Sequence, residues 1–198
     1  VGLLVMVFAT ALVPFGHFAV LASFALFLGG AVGLVLPVFR GPKGPSDRLL
    51  ALGLFALVAG VSVIFPLHRH ASFGSGSWDM GCMAHNFYRA SRFLPTVSTV
   101  LGDVDFLGDH FMLGIYLYAP IMWFFSSAKA VIVIQSLNLA AVAPAVFLIA
   151  RHRGVGRFPS LALGFVTGFS FGLQSAHYFD SHEIAVGFGF LAFGIWAL

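Results

Sequence analysis

The chain has 198 residues, of which 60% are hydrophobic and only 9% charged, with a formal net charge of +3. A soluble domain carries roughly 25% charged residues, so this composition excludes an ordinary soluble fold and predicts a polytopic, all-α integral membrane protein without a sheet. The few scattered cations make no footprint for nucleic acid, and Cys82, alone in the chain, excludes an intrachain disulfide.

The first apolar run, 1–39, is too long for one helix, and Pro14-Phe15-Gly16-His17 breaks it. It reads as an extra N-terminal transmembrane hairpin, with spans over 1–13 and 18–39. No basic n-region precedes it, so no signal peptide is read. Both chain ends fall inside apolar runs, as the edges of a truncated chain would. "RGPKGPSDR" (40–48) is a short basic loop. Residues 49–66 form the next span, and 67–110 a long mixed segment. Residues 111–150 are apolar again, interrupted by Pro120 and by Ser126-Ser127-Ala128-Lys129. "RHRGVGR" (151–157) is a second basic loop, 158–175 a further span, "AHYFDSHE" a short polar loop, and 184–198 the start of one more helix. At least five crossings or partial crossings are expected.

Lys and Arg concentrate in cytoplasmic loops. Both basic loops can be cytoplasmic only if an even number of crossings separates them. Residues 111–125 are therefore expected as a helix at the outer surface and 130–150 as the crossing; a hairpin turning at Lys129 is the alternative. This orientation puts loops 40–48 and 151–157 in the cytoplasm and 67–110 and 177–183 outside. Six of the seven acids then lie on the external side, with only Asp47 opposite.

The segment "SWDMGCMAHNFYRASRF" reads as a short helix opening beside Asp79. His85, Arg89 and Arg92 recur at helical spacing and share one face. That stripe can hold a phosphate near the lipid headgroups, or its arginines can simply snorkel into them. Asp79 can cap the helix. Asp103 and Asp105 suit either a divalent cation or a solvated loop. Asp109 can cap the helix that follows, and His110 can act as a base, a metal ligand or a phosphate contact.

The order of the motifs carries a resemblance. Trp78-Asp79-Met80-Gly81, Gly108-Asp109-His110-Phe111, Gln135-Ser136-Leu137 and Phe179-Asp180-Ser181-His182-Glu183 resemble the pattern of a domain-of-unknown-function family of polytopic prokaryotic membrane proteins. Over about 49–198 the same order is similar to the N-terminal part of the transmembrane domain of GT-C glycosyltransferases, which carries a large first external loop with surface helices. Met112-Leu113 departs from the family's Ser-Pro, and Asp180-Ser181-His182 from its Asp-Phe-His. The resemblance implies a prokaryotic inner or plasma membrane location. It also implies transfer of a sugar from a polyprenyl-phosphate donor at the external face, with Asp79 and Asp180 as the catalytic acids. His85, Arg89, Arg92 and His110 would bind the substrate, and a divalent metal ion could be held by Asp79, His110, Asp180 and His182. The competing expectation is a non-catalytic membrane subunit of a larger membrane complex, whose external acids and histidines contact a partner or pigment. Convergence of Asp79, His110 and Asp180 on one cavity distinguishes the two.

Overall fold

The computed structural model describes residues 45–110, 112 and 114–197. The expected hairpin over 1–39 and the cations Arg40 and Lys43 lie outside these residues. The described chain is mostly helical. Its longest helix, α1 (Pro45–Ala71), runs beyond the expected 49–66 at both ends. Pro66 sits inside it. A proline has no N–H to donate and leaves the carbonyl four residues earlier without its helical partner. That carbonyl belongs to Ser62, and Ser136 of a neighbouring helix donates its hydroxyl to it at 3.1 Å. The helix therefore continues through the proline with its backbone satisfied by a second helix, as a membrane interior requires.

A five-residue π-helical turn, Ser77–Gly81, leads directly into α2 (Cys82–Ser91). The expected helix beside Asp79 is present, but Asp79 does not cap it. Gly76 occupies the cap position and Asp79 lies inside the turn. Two residues, β1 (Val97–Ser98), pair antiparallel with two more, β2 (Val104–Asp105), a correction to the expected absence of any ladder. Asp105 caps α3 (Phe106–Asp109) by accepting from the Leu107 N–H. The capping residue of this segment is thus Asp105 rather than Asp109. In place of a continuous surface helix over 111–125 there are α4 (Ile115–Tyr118) and a 3-10 turn, Ala119–Trp123.

Helices α5 (Ala128–Ala140) and α6 (Val142–His152) form a nearly continuous rod of 25 residues, close to the expected 130–150. With α1 it is one of two described helices long and apolar enough to cross a membrane. The expected span over 158–175 is broken. Helix α7 (Arg157–Gly168) stops at Phe169, and α8 (Phe171–Tyr178) starts anew. Ser170 is extended (ψ 147°) and its hydroxyl accepts from Leu173 N, while Gln174 Nε2 donates to the Gly168 carbonyl at 2.7 Å. These two side chains satisfy the groups that the break exposes. Helix α9 (Glu183–Ala197) closes the described chain and packs on α5 and α6.

The two ends of this bundle differ in charge. Asp47, fully buried at the start of α1, accepts from Arg151 Nε at 3.0 Å and Arg157 Nε at 2.9 Å. The start of α1, the end of α6 and the start of α7 therefore share one end. The end of α1 meets the turn after α8 at the other, through Arg69 and Asp180. Among the described residues the first end holds Arg48, Arg151, Arg153 and Arg157 against Asp47 alone, and the second holds the remaining six acids.

Candidate functional site

Turn 179–182, at the acidic end, organises the site. One Asp180 oxygen accepts from Arg69 Nη1 at 2.7 Å, and the other from the Gly76 N–H at 2.7 Å. The same Arg69 nitrogen reaches the Tyr178 carbonyl at 3.0 Å, and the guanidinium lies 5.4 Å from the centre of the Tyr178 ring. Asp180 is nearly buried, with a side chain only 7% exposed. A charge-assisted clamp thus ties the end of α1, the residue before the π-helical turn and the turn after α8. Gln135 of α5 supports this turn from beneath. Its Oε1 accepts from His182 N at 2.9 Å and its Nε2 donates to the Ala176 carbonyl at 3.1 Å.

Asp79, His110, Ser181 and His182 line one cavity of about 50 Å³, walled by Trp78, Met83 and Phe106. Each is placed by its own element: Asp79 by the π-helical turn, His110 by the end of α3, and Ser181 and His182 by the clamped turn. The His110 ring stacks on Phe106 with centroids 5.3 Å apart and Nδ1 2.8 Å from Asp109. The His182 ring stacks on Phe179 at 5.3 Å. Ser181 is 2% exposed, and its hydroxyl has no hydrogen-bond partner among the described residues. A hydroxyl left alone at a buried polar site is costly unless a bound group or water meets it.

Tyr178 and Phe179, which precede Asp180, line a second space. With Arg69, Phe171, Gln174 and Ser175 they line an open groove of about 530 Å³. A single short stretch of chain therefore contributes to a small polar cavity and to a larger, mainly apolar groove with an arginine at its head.

Asp79, His110 and His182 come together, whereas Asp180 stands behind the cavity, engaged by Arg69 and Gly76. Of the expected cationic stripe, His85 and Arg89 lie on α2 and Arg92 is the residue that ends it, and none of the three lines the cavity. Arg89 Nε donates to the Pro95 carbonyl at 2.5 Å, and Arg92 lies 5.5 Å from the centre of the Tyr88 ring. His85 is partly buried, with no partner for Nε2 among the described residues. The four-residue metal set does not fit as arranged: both Asp180 oxygens are occupied, and no three His, Cys, Asp or Glu side chains among the described residues form a group able to hold a metal ion. Sequence reasoning missed Ser181 and the site role of Arg69. Ser181 sits inside the quoted motif but carries no charge to mark it, and Arg69 is separated from Asp180 by 111 residues.

The described chain is a mostly helical bundle with a polar site at one end and two helices long and apolar enough to cross a membrane. The chain belongs to the family described as Predicted membrane protein (DUF2079), whose family model matches residues 69–198. No curated protein and no solved structure matches it.

Proposed function

We propose that the protein transfers a sugar from a polyprenyl-phosphate donor at the external face of the membrane, as the GT-C resemblance implies. The observation that carries this reading is the shared turn, with a cavity holding Asp79 on one side and an apolar groove headed by Arg69 on the other. In the proposed reaction the acceptor hydroxyl enters the cavity and gives its proton to the Asp79 carboxylate. Its oxygen attacks the anomeric carbon, and the bond from that carbon to the phosphate oxygen breaks. The departing polyprenyl phosphate keeps that electron pair, its charge is met by the Arg69 guanidinium, and its lipid lies along the groove. Ser181 and His182 orient the acceptor. Asp180 acts as a positioning residue, holding Arg69 and the two loops of the site. Because the metal set does not fit, no step runs through a metal ion.

The experiment is an assay of membranes containing the full chain with a panel of polyprenyl-phosphate sugars, scored for release of polyprenyl phosphate. Asp79→Asn keeps size and removes the charge. It should lower release by about 10²–10⁴-fold, the usual contribution of a general base, while the protein stays folded. Full transfer by a folded Asp79→Asn variant would overturn the role of Asp79. Absence of transfer by the wild type across the panel would favour the non-catalytic membrane subunit instead.

A further inference from the structure

The cavity beside Asp79 restricts what can enter it. Its volume is about 50 Å³, whereas an engineered protein cavity that takes up benzene measures about 150 Å³. It therefore has room for a few water-sized groups but not for a six-membered ring. Its lining asks for a hydrogen-bond donor. A carboxylate can only accept, and that of Asp79 has no hydrogen-bond or ion-pair partner among the described residues. His110 and His182 line the same space, and an imidazole can donate or accept. A hydroxyl group, which does both, matches this set. A phosphate brings negative charge to a carboxylate and does not. The aromatic lining is of two kinds. Phe106 is 2% exposed, whereas Trp78 is 61% exposed and precedes Asp79 directly in the π-helical turn.

We infer that the ligand of this cavity is a carbohydrate that inserts a hydroxymethyl arm and leaves its ring outside, against Trp78. The arm is one carbon and one hydroxyl, which suits the volume. A hydroxyl attached directly to the ring would have to bring the ring in with it. The face of a sugar ring presents C–H groups of slight positive charge, and these suit the negative face of an indole. The inference rests on the proposed transfer only in making this carbohydrate the acceptor, whose primary hydroxyl then receives the new sugar.

The test is saturation-transfer NMR on the full chain in nanodiscs, read as apparent Kd. The probes are methyl glycosides of glucose, galactose and mannose, each compared with its 6-deoxy counterpart. At least one glycoside should bind, and its 6-deoxy counterpart should bind about tenfold more weakly, the scale of one hydrogen bond to a charged group. This comparison needs no variant. Asp79→Asn should narrow the gap. Trp78→Ala should weaken the glycoside and its 6-deoxy counterpart alike, by about 2–10-fold, the scale of an aromatic contact, and Trp78→Tyr should recover most of that loss. Failure of every glycoside to bind overturns the inference, as does equal binding of a glycoside and its 6-deoxy counterpart. Binding of choline in place of the glycosides assigns the site to an ammonium group and overturns it too. Unchanged binding by Trp78→Ala makes Trp78 an interfacial anchor and overturns the placing of the ring. Glycoside binding without transfer in the polyprenyl-phosphate assay removes the proposed reaction and leaves this inference standing. Transfer to an acceptor that has no hydroxymethyl group does the reverse.

Discussion

His177 shows how far burial alone can move a side chain. It is 2% exposed in α8, outside the two helices long and apolar enough to cross a membrane, and neither ring nitrogen has a partner among the described residues. Burial, which disfavours the charged form, lowers its pKa from the ordinary 6.5 to about 4. Between these values the unfolded chain takes up a proton that the folded chain refuses. Stability should therefore fall as pH drops from about 6.5 to about 4, and change no further from this group below that. Thermal unfolding at about pH 7 and about pH 5 measures the loss, and His177→Leu should reduce it; an unchanged pH dependence in a folded His177→Leu variant would refute the assignment. Asp180 illustrates the opposite case, a charge kept at low exposure by its partners. Asp180→Ala leaves Arg69 unpaired and should cost on the order of 3 kcal/mol, or about 6–12 °C in Tm. Combining it with Arg69→Ala should cost less than the two single losses added, with a coupling of about 1–3 kcal/mol. Simple additivity would show that the pair is not a functional clamp. None of this was legible from residues 177–183 alone. The motif marked Asp180 as important, but its ion pair is made by a residue 111 positions away.

Helix packing sets the next scale. Helix α7 lies close against α1 and α6 because two glycines make room. A methyl group on Gly164 would stand 2.7 Å from Leu54 Cδ2 and 2.8 Å from the Ala143 carbonyl oxygen, and one on Gly168 2.7 Å from Val58 Cγ2. Small residues at such contacts let membrane helices approach. Gly164→Ala should therefore destabilise the fold by about 1–3 kcal/mol. Gly60→Ala, on α1 with nothing within 4 Å of the added carbon, should stabilise by about 0.5–1 kcal/mol. Denaturant titration of both variants checks the contrast, and equal effects would contradict it. At this scale the apolar runs announced α1 and the α5–α6 rod well, because length and hydrophobicity suffice. They misread 158–175 as one piece. That stretch is apolar throughout, and its break depends on Ser170 and Gln174 bonding to the backbone in three dimensions. Residues 111–125 failed for a related reason: Pro120 falls in the first turn of a short 3-10 segment, and apolar content alone does not distinguish such turns from a helix.

Across the whole molecule, charge separates by end. The positive-inside rule predicts an arginine-rich end in the cytoplasm and a site end outside. Arg48→Cys should then react with a membrane-impermeant maleimide only after cells are permeabilised, and Asp103→Cys in intact cells; the native Cys82 is buried. The reverse pattern would invert the orientation and move the proposed transfer to the cytoplasmic face.

The clamp on Asp47 also places a demand on biosynthesis. Its carboxylate is made before its partners, and Arg151, the first of the two, follows 104 residues later. At about 5–20 residues per second of synthesis, the carboxylate must wait roughly 5–20 s for a countercharge. Over that interval the start of α1 is best kept in the aqueous headgroup layer, since an unpaired carboxylate is costly to bury. The helix can settle to its final depth only once α6 has arrived. Asp47 thus makes the seating of one helix contingent on another made after it, a chronological constraint written into a single ion cluster.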